Sequence, residues 1–385
     1  MLIAGEASGD MLAAELVKAL RAASPFPLEF FGAGGPRMAE ASVELAFDLT
    51  QHSTIGISWL NKYFELRRLF QQLVRLALER KPDVIIGVDY NLFNLRFAEA
   101  IKDHIRKHGG QDSSWNPKIV KYVSPQVWAS RPARAEKMAR DFDLLLTIFP
   151  FEKDWYAKRV PNLRVEFIGH PMIDRYAVGT RSTASLTFSD EIGDAMERVP
   201  TIVLLPGSRV AELKRHLPVM LEAAKQISVK QTVQFKMVVP DKDLKQLADR
   251  MSALLPNLEI QIGKLPEALS PAMLAIASTG TVTMECAYFG LPTIAIYKTS
   301  WITYQIGKHI VQVKYLAMPN LIANETIFPE FIQHEATAEN ISRGAIELLN
   351  NASRRDEIKM KLTKIVESLG ERGASRRAAS AILNL

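Results

Sequence analysis

Cys286 is the only cysteine among 385 residues, so the chain can form neither an internal disulfide nor a cysteine-based zinc cage. Its seven histidines show neither His-Glu-x-x-His nor any other paired ligand spacing, which argues against a structural zinc. No run reaches the roughly eighteen uninterrupted apolar residues that span a bilayer. The N-terminus also lacks a charged segment leading into an apolar one and a cleavage site. The expectation is a cytoplasmic chain. Charge of one sign is scarce too: 48 Lys and Arg against 42 Asp and Glu leave +6, too diffuse for nucleic acid but suited to anionic small molecules or an anionic membrane surface. Internal repeats and low-complexity segments are absent. With 48% hydrophobic and 23% charged residues, the composition excludes a disordered tail, and the length suits two domains with full cores.

Short β-branched runs alternate with longer periodic segments throughout, the pattern of βαβ units and parallel sheets. Residues 2–4, 84–88, 119–123 and 144–148 read as strands of one sheet, and 202–205, 235–239, 274–277 and 293–296 as strands of a second. Between them, 171–200 is poor in apolar runs, ends at Pro200 and reads as a linker. Two doubly wound domains facing across a cleft are expected. The shortness of the first run leaves open a slightly longer natural chain upstream of Met1. From Glu65 to Arg80, Leu66, Leu69, Phe70, Leu73, Leu76 and Ala77 recur at helical spacing among Arg67, Arg68, Arg75 and Arg80. Just before lies an apolar patch at Ile55, Ile57, Trp59, Leu60, Tyr63 and Phe64. Near the end, Ile358, Leu362, Ile365 and Leu369 mark an amphipathic packing helix broken at Gly370 and Gly373.

Four loops carry candidate chemistry. Gly5-Glu6-Ala7-Ser8-Gly9-Asp10 follows the first strand and opens a helix expected near Met11; it reads either as an anion-binding turn or as a tight turn capped by Ser8 and Asp10. Asp89 ends the 84–88 strand, where open α/β sheets bind ligands, and reads as a base toward a substrate hydroxyl or as a helix cap. Arg209, in Pro206-Gly207-Ser208-Arg209, can hold a diphosphate bidentately, with Glu212 orienting it or merely pairing with it. The turn Ser278-Thr279-Gly280-Thr281 offers free N–H groups at Gly280 and Thr281 to phosphate, and Glu285 one turn later suits ribose hydroxyls. Cys286 beside it reads as a small core residue. The pairs Asp141/Asp143 and Asp241/Asp243 match a metal-binding Asp-x-Asp but read as capping or surface residues. His170, in Gly169-His170-Pro171, reads as a substrate contact or as a histidine satisfied by backbone.

Together these segments resemble the lipid-A-disaccharide synthase family, inverting glycosyltransferases of the two-Rossmann GT-B architecture. Ten segments carry the resemblance in order: AGEASGD at 4–10, GAGGPRM at 32–38, KPDVIIGVD at 81–89, YVSPQVWASR at 122–131, FPFEKDWY at 149–156, FIGHP at 167–171, LLPGSRVAE at 204–212, STGTVTME at 278–285, PNLIA at 319–323 and PEFIQ at 329–333. The family's Asp-Ala-Pro-Asp-Phe-Asn here reads Asp89-Tyr90-Asn91-Leu92-Phe93-Asn94, and its Trp-Ala-Trp-Arg reads Trp128-Ala129-Ser130-Arg131.

The resemblance implies transfer of 2,3-diacylglucosamine from its UDP derivative to 2,3-diacylglucosamine 1-phosphate, with no cofactor and no metal. It implies Asp89 and Arg209 as catalytic residues and donor UDP contacts at Gly207, Ser208, Thr279, Gly280, Thr281, Glu285 and Asn320. Acceptor contacts are implied at Gly5, Ser8, Gly9, Asp10, Ser124, Trp128 and His170. Because both substrates are acylated, Ile55, Trp59, Leu60 and Phe64 become candidates for seating acyl chains and touching the anionic inner membrane, which would make the chain peripheral there. The expected domains are 1–172 for the acceptor, 173–345 for the UDP-sugar, and C-terminal helices at 346–385 packing back on an N-terminal domain. Oligomeric state is left open, with a homodimer as one option. Rival readings are another GT-B transferase acting on a lipid-linked peptidoglycan precursor, a UDP-N-acetylglucosamine 2-epimerase, or a non-catalytic UDP-sugar binding module. Leu92 and Ser130 keep the last of these open.

Overall fold

The computed structural model describes residues 1–51, 59–108, 115–177, 199–252, 255 and 257–385, with backbone alone at 59–63, 302, 306 and 309. Ile55 and the side chains of Trp59 and Leu60 therefore lie outside the described residues. The chain forms two units, Met1–Arg175 with Leu369–Leu385, and Tyr176–Ser368.

Unit 1 is built on seven strands: β1 Leu2–Ala4, β2 Phe31–Gly34, β3 Glu44–Asp48, β4 Val84–Val88, β5 Lys118–Tyr122, β6 Leu144–Thr147 and β7 Arg164–Phe167. Their order is β3-β2-β1-β4-β5-β6-β7, every pair parallel. Strand residues alternate between two covered faces, as a parallel sheet requires. Ile3, Ile85, Ile119 and Leu145 face Phe97 and Ile101 of the helix Asn91–His108 and Leu69, Leu73 and Ala77 of the helix Trp59–Arg80. Leu2, Ile86, Val88 and Val120 face Leu16, Val17 and Leu20 of the helix Ala7–Ala23 and Ala378 and Ile382 of the helix Ala374–Leu383. Each fully buried Leu or Ile contributes about 1.5–3 kcal/mol, so these two layers supply most of the unit's stability. Arg67, Arg68, Arg75 and Arg80 take the exposed side of Trp59–Arg80, as its periodicity predicts. Arg80 lies 4.0 Å over the Phe31 ring and pairs with Glu44 at 2.7 Å.

Unit 2 repeats the plan with β8 Thr201–Leu205, β9 Gln234–Val239, β10 Leu258–Ile262, β11 Leu274–Ser278, β12 Thr293–Tyr297 and β13 Glu330–Ile332. The order is β10-β9-β8-β11-β12-β13, again all parallel. Both sheets are doubly wound: strand order reverses between β1 and β4 in one and between β8 and β11 in the other. In such sheets the crevice for a ligand opens beyond the C-terminal strand ends at that reversal.

Two expectations change. The segment 171–200 does not begin as a linker, because Pro171–Ala177 is helical; 178–198 lies outside the described residues. The C-terminal return starts later than 346. The helices Ala338–Asn350 and Ala352–Ser368 belong to unit 2, where Ile358, Leu362 and Ile365 are buried, and only Leu369–Leu385 joins unit 1.

That last helix is secured by charge and hydrogen bonds as well as packing. The Asp174 carboxylate accepts the N–H groups of Gly373 at 2.5 Å and Ala374 at 2.9 Å, capping the helix start. Arg377 donates from Nε to the Ile168 carbonyl at 2.7 Å and from its two terminal nitrogens to the Arg372 and Glu371 carbonyls. Asp174→Ala is expected to lower unfolding stability by about 1–2 kcal/mol through loss of the cap, read from urea denaturation followed by circular dichroism.

Candidate active site

At the reversal in unit 1, β1 pairs with β4 in the register Ile3↔Gly87 and Ala4↔Val88, so the loops leaving both strands emerge side by side. The β1 loop is tighter than its sequence suggests. The helix begins at Ala7 with Glu6 as N-cap, rather than near Met11, because Gly5 and Glu6 alone make the turn. Gly5 and Gly9 permit close approach to the neighbouring loop. The Tyr90 ring fills the space a side chain at Gly5 would need, and a side-chain carbon at Gly9 would lie 3.4 Å from Asp89 Cβ. Ser8 is exposed in the first helical turn. Asp10 is not available to a ligand in the way the resemblance implied. Its buried carboxylate accepts the N–H groups of Gly35 at 2.7 Å, Arg37 at 2.9 Å and Met38 at 3.1 Å, capping the helix Pro36–Glu40. It thus fastens the AGEASGD segment to the GAGGPRM segment.

Asp89 is half-buried at the end of β4. Both Asp89 and Tyr90 adopt left-handed backbone, with φ of 46° and 42°, a conformation that costs non-glycine residues energy and is kept only where the surroundings impose it. The constraints are visible. Asp89 N–H donates to the Tyr122 carbonyl at 2.7 Å. The buried Asn94 amide donates to the carbonyls of Asp89 at 2.9 Å, Val88 at 3.3 Å and Ile3 at 3.4 Å. Lys121, fully buried in β5, donates from Nζ to the Asp89 carbonyl at 2.5 Å. Burial pulls the Lys121 pKa down to about 8 against the opposing pull of the Asp89 charge. Burial, then the neighbouring Glu6 charge, pushes the Tyr90 phenol up. A lysine amid the apolar run 119–123 is a visible signal in the sequence, although the run by itself marks only a strand.

Ser124, Trp128 and His170 are buried rather than lining an open surface. Ser124 Oγ lies 3.1 Å from the Tyr156 hydroxyl. Trp128 Nε1 donates to Glu152 at 3.0 Å, and the other Glu152 oxygen accepts the N–H of Phe149 at 3.1 Å. His170 Nδ1 accepts the Met172 N–H at 3.2 Å, and its ring packs against Phe149 at 5.6 Å. One ring nitrogen of His170 is thus held by backbone. These three residues brace the segments that follow β5, β6 and β7 against one another.

At the reversal in unit 2, Gly207 has a φ of +118°, and a side chain there would strike the Glu212 carboxylate at 2.5 Å. Glu212 accepts the Ser208 N–H at 3.1 Å and lies 3.7 Å from the Arg209 guanidinium, whose side chain is 66% exposed. So exposed a pair is worth little in stability, which leaves Arg209 placed for a ligand at small cost. His216, missed in the sequence, is buried; its Nδ1–H donates to the Pro206 carbonyl at 2.8 Å and its Nε2 accepts the Lys298 N–H at 3.0 Å. Burial holds its pKa down, so it ties the β8 loop to the end of β12 as a neutral ring.

The β11 loop lies beside it. The Thr279 N–H is used within the sheet, donating to the Ile296 carbonyl at 3.0 Å. Gly280 and Thr281 are exposed at the start of the helix Thr281–Tyr288, whose first turn is fixed by Thr283 Oγ1 donating to the Gly280 carbonyl at 2.7 Å. Such a helix start presents N–H groups and a positive dipole end to an anion. Glu285, one turn on, accepts the Tyr176 hydroxyl at 2.5 Å. Cys286 is buried, its thiol pushed up to about 12, and acts as the small core residue expected. Asn320, an implied donor contact, has its side chain turned into the protein. It is fully buried, and its amide group is consumed by the Phe328 carbonyl, Glu330, and the N–H groups of Ile327 and Phe328, all within 2.9 Å. It clamps the loop before β13.

The Asp-x-Asp pairs are structural. Asp141 pairs with Arg140 at 2.7 Å, Asp143 accepts from Lys102 at 3.0 Å and Ile119 N–H at 2.8 Å, and Asp241 caps the helix Lys242–Ser252 through the Leu244 N–H at 2.8 Å. No helix among the described residues is long and apolar enough to cross a membrane.

The chain is similar in fold to the UDP-GlcNAc 2-epimerase of Neisseria meningitidis, solved with UDP-GlcNAc, at a TM-score of 0.66 and 11% identity over 100% of this chain and 99% of that one. MurG of Acinetobacter baumannii matches at a TM-score of 0.56 and 14% identity over 100% and 98%. Two parallel Rossmann-like sheets of this kind define the GT-B class, glycosyltransferases together with epimerases of the same fold. Within that class, residues 1–385 match the family model described as lipid-A-disaccharide synthetase. Lipid-A-disaccharide synthases of Myxococcus xanthus and Trichlorobacter lovleyi are 35% and 36% identical over 389 and 396 residues, each alignment covering 100% of this chain and 97% of the relative. The chain belongs to this family of glycosyltransferases.

Two buried groups, one following β6 and one following β7, titrate in opposite senses. Burial raises Glu152 from 4.5 to about 7, so the folded state holds the extra proton and stability falls as pH rises across that window. Burial lowers His170 from 6.5 to about 4, so there the unfolded state holds the extra proton and stability falls as pH drops from 6.5 toward 4. The two slopes oppose each other wherever the windows overlap. Glu152→Gln removes one of them, so its stability is expected to rise more steeply than wild type from pH 4.5 to 6.5 in urea titrations at stepped pH.

Proposed function

We propose that this chain transfers the 2,3-diacylglucosamine unit of its UDP derivative to 2,3-diacylglucosamine 1-phosphate, giving a β-1,6-linked disaccharide 1-phosphate and UDP, without a metal. The observation that supports this reading is that Asp89 lies beside Gly9 at the strand-order reversal of unit 1, while Arg209 and the exposed Gly280-Thr281 helix start lie at that of unit 2. Family membership supports the substrate assignment. It also favours this reading over the epimerase, which shares the fold at far lower identity.

In this mechanism the Asp89 carboxylate takes the proton of the acceptor's 6-hydroxyl as that oxygen bonds to the donor's anomeric carbon. The bond from that carbon to the diphosphate breaks, with inversion, and UDP departs. Arg209 and the N–H groups of Gly280 and Thr281 stabilise the charge that accumulates on the diphosphate. Glu285 accepts ribose hydroxyls. The positive charge that a metal would bring to the leaving group comes from the protein. Gly207 and Ser208 border the diphosphate through backbone, and Gly5 and Ser8 border the acceptor.

Both substrates carry acyl chains, so the protein works as a peripheral enzyme on the anionic inner-membrane surface. Phe64, 62% exposed on the helix Trp59–Arg80 beside exposed Arg67 and Arg68, supports this assignment.

Incubation with both acylated substrates in detergent and chelator, followed by mass spectrometry, is expected to yield the disaccharide phosphate. Asp89→Ala should lower kcat about 10²–10⁴-fold and Arg209→Ala about 10²–10³-fold with folding intact. UDP binding without turnover in the wild type would instead support the binding-module reading. Replacing Trp59 and Phe64 by Ser is expected to weaken sedimentation with anionic liposomes at least about tenfold, given about 1.5–3 kcal/mol per buried aromatic; unchanged sedimentation of the folded variant would remove the membrane assignment.

A further inference from the structure

A lysine ammonium inside a parallel sheet is an expensive arrangement. Lys121 is 0% exposed, in the fifth strand of unit 1, registered beside Gly87 of β4. Desolvation opposes its charge. Only the Asp89 carboxylate and the backbone carbonyls around its Nζ offset that cost. In the same position an apolar residue would extend the layer of Ile119 and Leu145. The side chain nevertheless spends its ammonium on backbone, donating to the Asp89 carbonyl at 2.5 Å and lying 3.5 Å from that of Gly87.

The Asp89 carbonyl faces Lys121 because the residue is left-handed, and the next residue is left-handed too. Two consecutive non-glycine residues in that region cost on the order of 1–3 kcal/mol each unless held. Asn94 holds the same carbonyl from the helix side at 2.9 Å, so the turn is gripped from two directions. Gly9 then leaves the Asp89 side chain room on the β1 side.

We propose that Lys121 is a positioning residue for the transfer reaction. Its buried ammonium locks the Asp89-Tyr90 turn in the left-handed conformation that aims the Asp89 carboxylate at the acceptor hydroxyl. Lys121 has no exposed surface and touches no substrate; it acts through Asp89. The proposal rests on Asp89 being the base, so the two readings need separate tests.

The test compares Lys121→Met and Asp89→Asn with wild type in the detergent assay, measuring kcat, both KM values and melting temperature. Lys121→Met keeps the length and apolar stem but removes the charge and its donors. The expected result is a kcat lowered about 10²-fold, the scale at which small misplacements of a reacting group act. KM values should stay within about twofold, and kcat is taken per folded molecule so that any change in melting temperature is separated from it. A lysine that serves stability alone would give the reverse, a lowered melting temperature with wild-type kcat per folded molecule, and would overturn the proposal. If Lys121→Met does not fold, Lys121→Gln, which keeps a shorter uncharged donor, takes its place, and wild-type kcat in that folded variant overturns the proposal equally. Full activity in Asp89→Asn would overturn the base assignment itself. An inactive Asp89→Asn beside a fully active Lys121→Met would leave the base standing and remove only its lysine support.

Discussion

Parallel pairing of non-consecutive strands at one point in each sheet is the constraint on which the rest depends. Once β1 pairs with β4, and β8 with β11, the chain must leave each pair toward opposite flanks of its sheet. No crossover helix then covers the gap between the two outgoing loops. The register does the remaining work. Ala4 opposite Val88 brings Gly9 against Asp89, and Ala277 opposite Leu205 brings the Gly280 turn alongside the Gly207 turn. A slip of one residue in either pair would turn every core side chain toward the wrong face, so the same hydrophobic layers that stabilise the sheets also set the site.

Much of what looks like catalytic polarity serves backbone instead. Asp10, Asn94, His216 and Asn320 each pair with main-chain N–H or carbonyl groups, and each fixes a loop or helix start near a strand end. This follows from burial. A polar side chain enclosed among apolar layers must find partners, and the unsatisfied backbone groups of tight loops are the partners on hand. The side chains left toward solvent at the reversals are few, and Arg209 and Ser8 are among them.

Legibility in the sequence followed burial as well. The central strands β1, β4, β5 and β6, and β8, β9, β11 and β12, were visible because strands covered on both faces read as continuous apolar runs. The edges were not: β3, β7, β10 and β13 are partly exposed, mix charge into short segments such as Arg164–Phe167, and carry too few apolar residues to stand out. β2 escaped for another reason, since Phe-Gly-Ala-Gly has no β-branched residue and reads as a loop. The loop motifs fall at the strand ends beside both reversals, yet roles within them are less legible. Nothing in the spacing of Asp10 or Asn320 distinguishes a ligand contact from a cap, because that depends on which backbone a side chain meets after folding. Lys121 shows the converse: its type was conspicuous in its strand, and its partner only becomes apparent in three dimensions.

The division of the chain also sets a timetable for its synthesis. Unit 1 is closed by Leu369–Leu385, yet all of Tyr176–Ser368 must be made first. At typical elongation rates of about 5–20 residues per second, the nascent unit 1 waits on the order of 10–40 s with the apolar flank of Ala7–Ala23 uncovered. A ribosome that stalls or a message truncated before Leu369 would leave behind a chain whose unit 1 carries an open hydrophobic seam, a natural substrate for chaperones and proteases.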